Sequence, residues 1–167
     1  AIFINNNIDN INNIYIIFLS LGSLISKSAI AVVTQMNKLG EVLYRSQVKL
    51  DEQLGKVWQV VLFTQTYPHQ TSNINLRLVG FPGCAELIHP QLLTITSNTG
   101  KVWNAADILL DEAPAPTIGQ YDFNKILFQL PLGSLTLSIH LPGTKFINIS
   151  VPAHVVKEWQ SLIRNNN

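Results

Sequence analysis

The 167-residue chain has room for one domain, or for one domain behind a targeting segment. Charged residues make up 13% of it, about half the usual share, and 47% are hydrophobic, so the composition is that of a chain able to fold. A formal net charge of +1, with no block of like charges, lacks the basic face that nucleic acid needs, and no nucleic-acid partner is expected.

Residues 1–31 read as a signal peptide-like segment. The polar run AIFINNNIDNINN is followed by the apolar stretch 14-IYIIFLSLGSLI-25 and then by SKSAIA, which closes on Ala29-Ile30-Ala31. That order is the pattern of a secretory signal, with cleavage expected after Ala31 and a mature chain beginning near Val32. Twelve helical residues span about 18 Å, well short of the roughly 30 Å hydrocarbon core. An uncleaved anchor is therefore the second reading, and no transmembrane span is expected once the signal is removed. One feature departs from the pattern: Asp9, and no Lys or Arg, precedes the apolar run. Export bears on Cys84, the only cysteine, which cannot form an internal disulfide. It is buried and inert, free, or paired to another chain.

Residues 32–163 form a single exported β-rich domain, with 164–167 as a tail. After a short lead-in (32–40), 42-VLYRSQV-48 alternates, 51-DEQLGK-56 supplies turn residues, and 57-VWQVVLFTQT-66 is rich in strand formers, so the two make a hairpin. A loop at 67–73 leads to 74-INLRLV-79, with Ile74, Leu76 and Leu78 on one face. The runs 92–97 and 101–105 make a second hairpin through Asn98-Thr99-Gly100. The Pro-rich stretch 111–120 is a surface connection. Asp122 then resembles the N-cap of a helix over 123–130, whose stripe of Phe123, Ile126, Leu127 and Leu130 ends at Pro131. The runs 135–141 and 145–151 alternate most cleanly, and Pro152 opens a C-terminal helix over 152–163. About seven strands with two short helices predict an antiparallel β-sandwich or barrel.

The stretch 76-LRLVGFPGCAELIHP-90 is crowded with chemically capable residues. Cys84 needs a histidine to act as a nucleophile, and His89 or His69 could supply one, but no flanking thiol-enzyme signature surrounds it. The four histidines (69, 89, 140, 154) show no metal-ligand spacing and read as polar surface residues. Nucleotide-binding and serine-hydrolase patterns are absent, so no catalytic, cofactor or metal residues are assigned. Trp58, Trp103 and Trp159 sit at apolar periodic positions and belong to the core. Asn148-Ile149-Ser150 is a glycosylation sequon. Alternation turns Arg77 away from the core, either merely solvated or as an anchor for a partner's carboxylate. With Phe81 on the following turn and Tyr121 in the next segment, it makes a candidate recognition surface. In the competing reading Phe81 and Tyr121 pin their loops to the core.

The run 75-NLRLVGFPG-83, His89-Pro90 before 92-LLTIT-96, 118-IGQYD-122 and 150-SVPAHVVKEWQ-160 together resemble a family of small exported proteins from cyanobacteria and plastids, catalogued as a domain of unknown function. The likeness spans about residues 40–163 and implies the thylakoid lumen or periplasm. In that family an apolar residue is usual where Cys84 stands, which speaks against a thiol mechanism. The family carries no assigned activity; the expected role is a non-enzymatic domain, an accessory or assembly partner of a photosynthetic membrane complex, with the partner inferred only from the compartment. The alternative is a β-barrel or sandwich binding a small apolar ligand, and the third option is an enzyme of unknown class.

Overall fold

The computed structural model describes residues 32–38, 41–66, 73–110 and 113–164. The signal-like segment, His69 with most of its loop, and the end of the tail lie outside them. Nine strands are present among the described residues: β1 (Val32–Lys38), β2 (Glu41–Asp51), β3 (Val57–Thr66), β4 (Asn73–Gly80), β5 (Leu93–Ser97), β6 (Val102–Ala105), β7 (Ile118–Asp122), β8 (Leu135–His140) and β9 (Phe146–Val151). The helix α1 (Ala153–Arg164) follows. All pairings are antiparallel, in a five-stranded sheet ordered β1-β2-β3-β4-β7 and a four-stranded sheet ordered β6-β5-β8-β9. Neither sheet closes on itself, so the fold is two open sheets around one core and not a barrel.

Period-two patterning places the core-facing side chains as the sequence predicts along β4, β8 and β9. Ile74, Leu76 and Leu78 enter the core from one sheet, while Leu135, Leu137, Ile139, Ile147, Ile149 and Val151 enter it from the other. Each such burial stabilises the fold by about 1.5–3 kcal/mol relative to exposure. Helix α1 adds Val155, Val156, Trp159 and Leu162, and the Trp159 ring meets Phe123 edge-on at 6.2 Å between centroids. Gln160 Nε2 donates to the Leu130 carbonyl at 2.7 Å and ties the helix to the segment before β8.

Three expectations are corrected. The lead-in at 32–38 is strand β1, paired to β2 from Val32↔Gln47 to Lys38↔Glu41. The end of the expected surface connection is strand β7, which pairs with β4 and raises the strand count above seven. The helix expected over 123–130 is only a 3-10 turn at Leu127–Gln129. Strand β7 runs through Asp122 and Pro131 lies close behind, leaving too few residues to nucleate an α-helix. Asp122 still caps locally, its Oδ1 accepting the Asn124 N–H at 2.9 Å, and the apolar stripe is still buried: Phe123, Ile126, Leu127 and Leu130 all belong to the core.

Candidate functional site

The structure does not bring Arg77, Phe81 and Tyr121 onto one face. Strand pairing sets Leu76 opposite Tyr121 and Arg77 opposite Gln120, so Arg77 and Tyr121 project from opposite sides of the sheet. Tyr121 is a core residue at 2% exposure, and burial, followed by the Asp107 carboxylate, pushes its phenol far above the ordinary range. Arg77 is not solvated as alternation predicts, because the second face of β4 is buried as well. Its neighbour Val79 is 2% exposed and Arg77 itself 5%. Arg77 Nε donates to Gln120 Oε1 at 2.7 Å, and burial pulls the guanidinium down to about 10, where it is still charged at neutral pH. Phe81 alone is at the surface, half-buried, with Lys49 Nζ 5.1 Å from its ring centre.

His89 is also not a free surface residue. Its Nδ1 meets Asp107 Oδ2 at 2.5 Å and its Nε2 meets the Ile118 carbonyl at 3.0 Å. Asp107 further accepts the N–H groups of Gln91 at 3.2 Å and Leu109 at 3.0 Å. The pair therefore pins the 81–92 loop against the 106–110 segment and β7. With both ring nitrogens engaged, His89 has no nitrogen left to serve as a base for Cys84.

The run 80-GFPG-83 makes the turn its composition predicts. Cys84 N–H donates to the Phe81 carbonyl at 3.0 Å, with Pro82 and Gly83 at the centre. Gly83 has φ +94°, the left-handed position that a type II turn reserves for glycine. The turn delivers Cys84 to the end of the domain, where its Sγ donates to the Val57 carbonyl at 3.2 Å. Burial pushes this thiol up from its ordinary value, which disfavours the nucleophilic thiolate.

Cys84 lines a cleft of about 530 Å³ built from three separate segments. The turn joining β2 to β3 contributes Glu52, Leu54 and Lys56, and β3 contributes Trp58; the second segment adds Gly83 and Ala85 beside the thiol. From the β8–β9 end come Leu141, Lys145, Phe146 and Ile147. Trp58 lines it as a fully buried residue, while Leu54 and Phe146 are 80% and 47% exposed and stand at the rim. A side-chain amide holds this corner together. Gln53 Nε2 donates to the Phe146 carbonyl at 2.8 Å, and Gln53 Oε1 accepts the Asn148 N–H at 2.5 Å. Gln53 N–H also reaches the Asn148 carbonyl at 3.2 Å, so the turn between β2 and β3 docks onto the outer edge of β9. The cleft thus bridges the two sheets. Its size is in the range of small-molecule sites, and its surface is mostly apolar with a few charged groups. Among the described residues, no group of three or more His, Cys, Asp and Glu side chains could hold a metal ion, and no helix is long and apolar enough to cross a membrane.

A family model described as "Protein of unknown function (DUF3122)" matches residues 31–162. The chain belongs to that family. The match takes in all three segments of the cleft and the recognisable LRLVGFPG and IGQYD blocks of the DUF3122 domain. No curated protein and no solved structure matches it. The cleft had no signal in the sequence beyond the GFPG turn, since its walls lie far apart along the chain and each is locally unremarkable.

Proposed function

We propose that the domain is an exported, non-catalytic binding module that holds a small molecule with an apolar body in the cleft over Trp58. The cleft carries this reading: it is concave, about 530 Å³, and lined in part by a fully buried indole. Export rests on the apolar run ending in Ala29-Ile30-Ala31, with the family match starting at residue 31 and strand β1 at Val32. The thylakoid lumen or periplasm is the proposed compartment, and cyanobacteria or plastids the proposed source. The raised Cys84 thiol and the doubly engaged His89 argue against a thiol enzyme.

The test is purification of the native protein followed by mass spectrometry of its extracted small molecules. One compound should be recovered in near-stoichiometric amount, and Ala85→Trp, which fills the cleft, should abolish its recovery while the fold persists by circular dichroism. Equal recovery from both proteins would reject the reading.

A second reading makes the domain an accessory or assembly partner of a photosynthetic membrane complex. It is favoured by the exposed apolar side chains Ile88, Leu92, Ile108 and Leu110 in the two segments joined by the His89–Asp107 pin. Pull-down from native membranes should then recover subunits of one complex, and Leu92→Glu should lose them.

A further inference from the structure

We infer that the ligand of this cleft is a free amphipathic carboxylate, its apolar body over Trp58 and its head between the ammonium groups of Lys56 and Lys145. This rests on the binding-module reading and adds the chemistry of the ligand to it. The lining divides into two kinds of surface. Ala85, Leu141 and the rim residues Leu54 and Phe146 offer apolar contact above the buried Trp58 and Ile147, and Leu54 and Phe146 expose large side chains to water that an occupant would cover.

The charged part of the lining is Lys56, Lys145 and Glu52. Both lysines are exposed, and neither ammonium makes a hydrogen bond or ion pair among the described residues. Glu52 is 6% exposed and turned inward, its Oε1 accepting the Lys56 N–H at 3.3 Å. Two ammonium groups against this one carboxylate leave the lining with a net positive charge. With two cations against one carboxylate in the lining, an anionic guest is favoured over a cationic one. An anionic head satisfies both, since an ammonium is a compact charge with three rotatable donors. A concavity shared by three segments takes a free single chain or ring system, and the vesicle arm of the experiment separates it from a membrane surface that uses the exposed Leu54 and Phe146. Cys84 shares the cleft, so any occupant covers its thiol and reports its own presence.

The experiment titrates the native protein with dodecanoate, dodecanol and dodecyltrimethylammonium, all below micelle formation, and with phosphatidylglycerol vesicles. Tryptophan fluorescence and protection of Cys84 from N-ethylmaleimide are the readouts. Dodecanoate should bind saturably and slow alkylation. The double variant Lys56→Gln/Lys145→Gln should weaken it about tenfold, as expected for losing two opposite charges at a surface site, without changing the affinity for dodecanol. Dodecanol binding as tightly as dodecanoate would overturn the anionic head and leave the binding module standing. If no probe protects Cys84, and no small molecule is recovered from the native protein, both fall. Binding to vesicles alone would assign the lysines to a membrane surface and overturn the inference.

Discussion

The ring of Tyr121 lies across Gly119: a Cβ at Gly119 would sit 2.6 Å from the phenol oxygen and 2.9 Å from the ring carbon Cε2. Both residues point to the core side of β7, and the glycine supplies the space into which its neighbour two positions on folds back. Gly119→Ala should therefore force the ring to shift within a packed core, at a cost of about 1–3 kcal/mol. A lowered urea midpoint with an unchanged slope is the expected result. Unaltered stability would mean that the ring moves aside without penalty.

Asp107→Ala removes the acceptor for His89 and for two backbone N–H groups at once. The His89 and Asp107 side chains are 9% and 2% exposed, so the groups left behind are poorly placed to find water. A loss of about 3 kcal/mol is expected. Thermal melting would show it as a drop of several degrees, and hydrogen exchange should rise first at Gln91 and Leu109.

Arg77 and Gln120 form a buried polar contact between β4 and β7. Removing Gln120 takes away the acceptor of the 2.7 Å bond from Arg77 Nε. Gln120→Leu should destabilise, and Arg77→Met/Gln120→Leu should cost less than the sum of the two single changes. The coupling expected from a double-mutant cycle is about 1 kcal/mol or more. Additive effects would show that the contact carries no stability of its own.

Cys84 should prove dispensable for folding. Cys84→Val keeps an apolar side chain of similar size and loses one weak S–H donor, for an expected cost of about 1 kcal/mol or less by chemical denaturation. The pH dependence of alkylation has a definite sign. Because burial raises this thiol, the rate should go on climbing with pH where a small free thiol has begun to level off. An early plateau would show an activated thiolate instead.

Amino-terminal sequencing of the native protein should begin at or near Val32. Strand β1 opens at that same residue, so cleavage there would place the new terminus directly on the edge of the five-stranded sheet. A sequence that runs through Phe18 would leave the anchor reading in place.

Strands with one dry and one wet face were legible from alternation alone, as Leu135-Thr136-Leu137-Ser138-Ile139 shows with its buried and half-buried positions in strict turn. Strand β7 was not, because Gly119 leaves a gap where its core face should show an apolar side chain, and its other face buries Gln120. Arg77 was misplaced for a related reason. Alternation reports which residues share a face, but not whether the second face meets water, and on β4 every position after Asn73 is buried. Of the cleft, only the turn that carries Cys84 could be read in advance, since the Gln53 contacts that hold it open join residues more than ninety positions apart.

Those Gln53 contacts also bear on how the protein behaves when concentrated. Strand β9 is the last strand of its sheet, and its outward carbonyl at Phe146 and amide groups at Asn148 are what a foreign strand would use to dock. The Gln53 side chain and its own N–H occupy those groups, as one residue of a tenth strand would. The corner that shapes the cleft is thus also a guard against self-association. Loosening it, as by Gln53→Ala, should raise the tendency of the edges to stack before it unfolds anything.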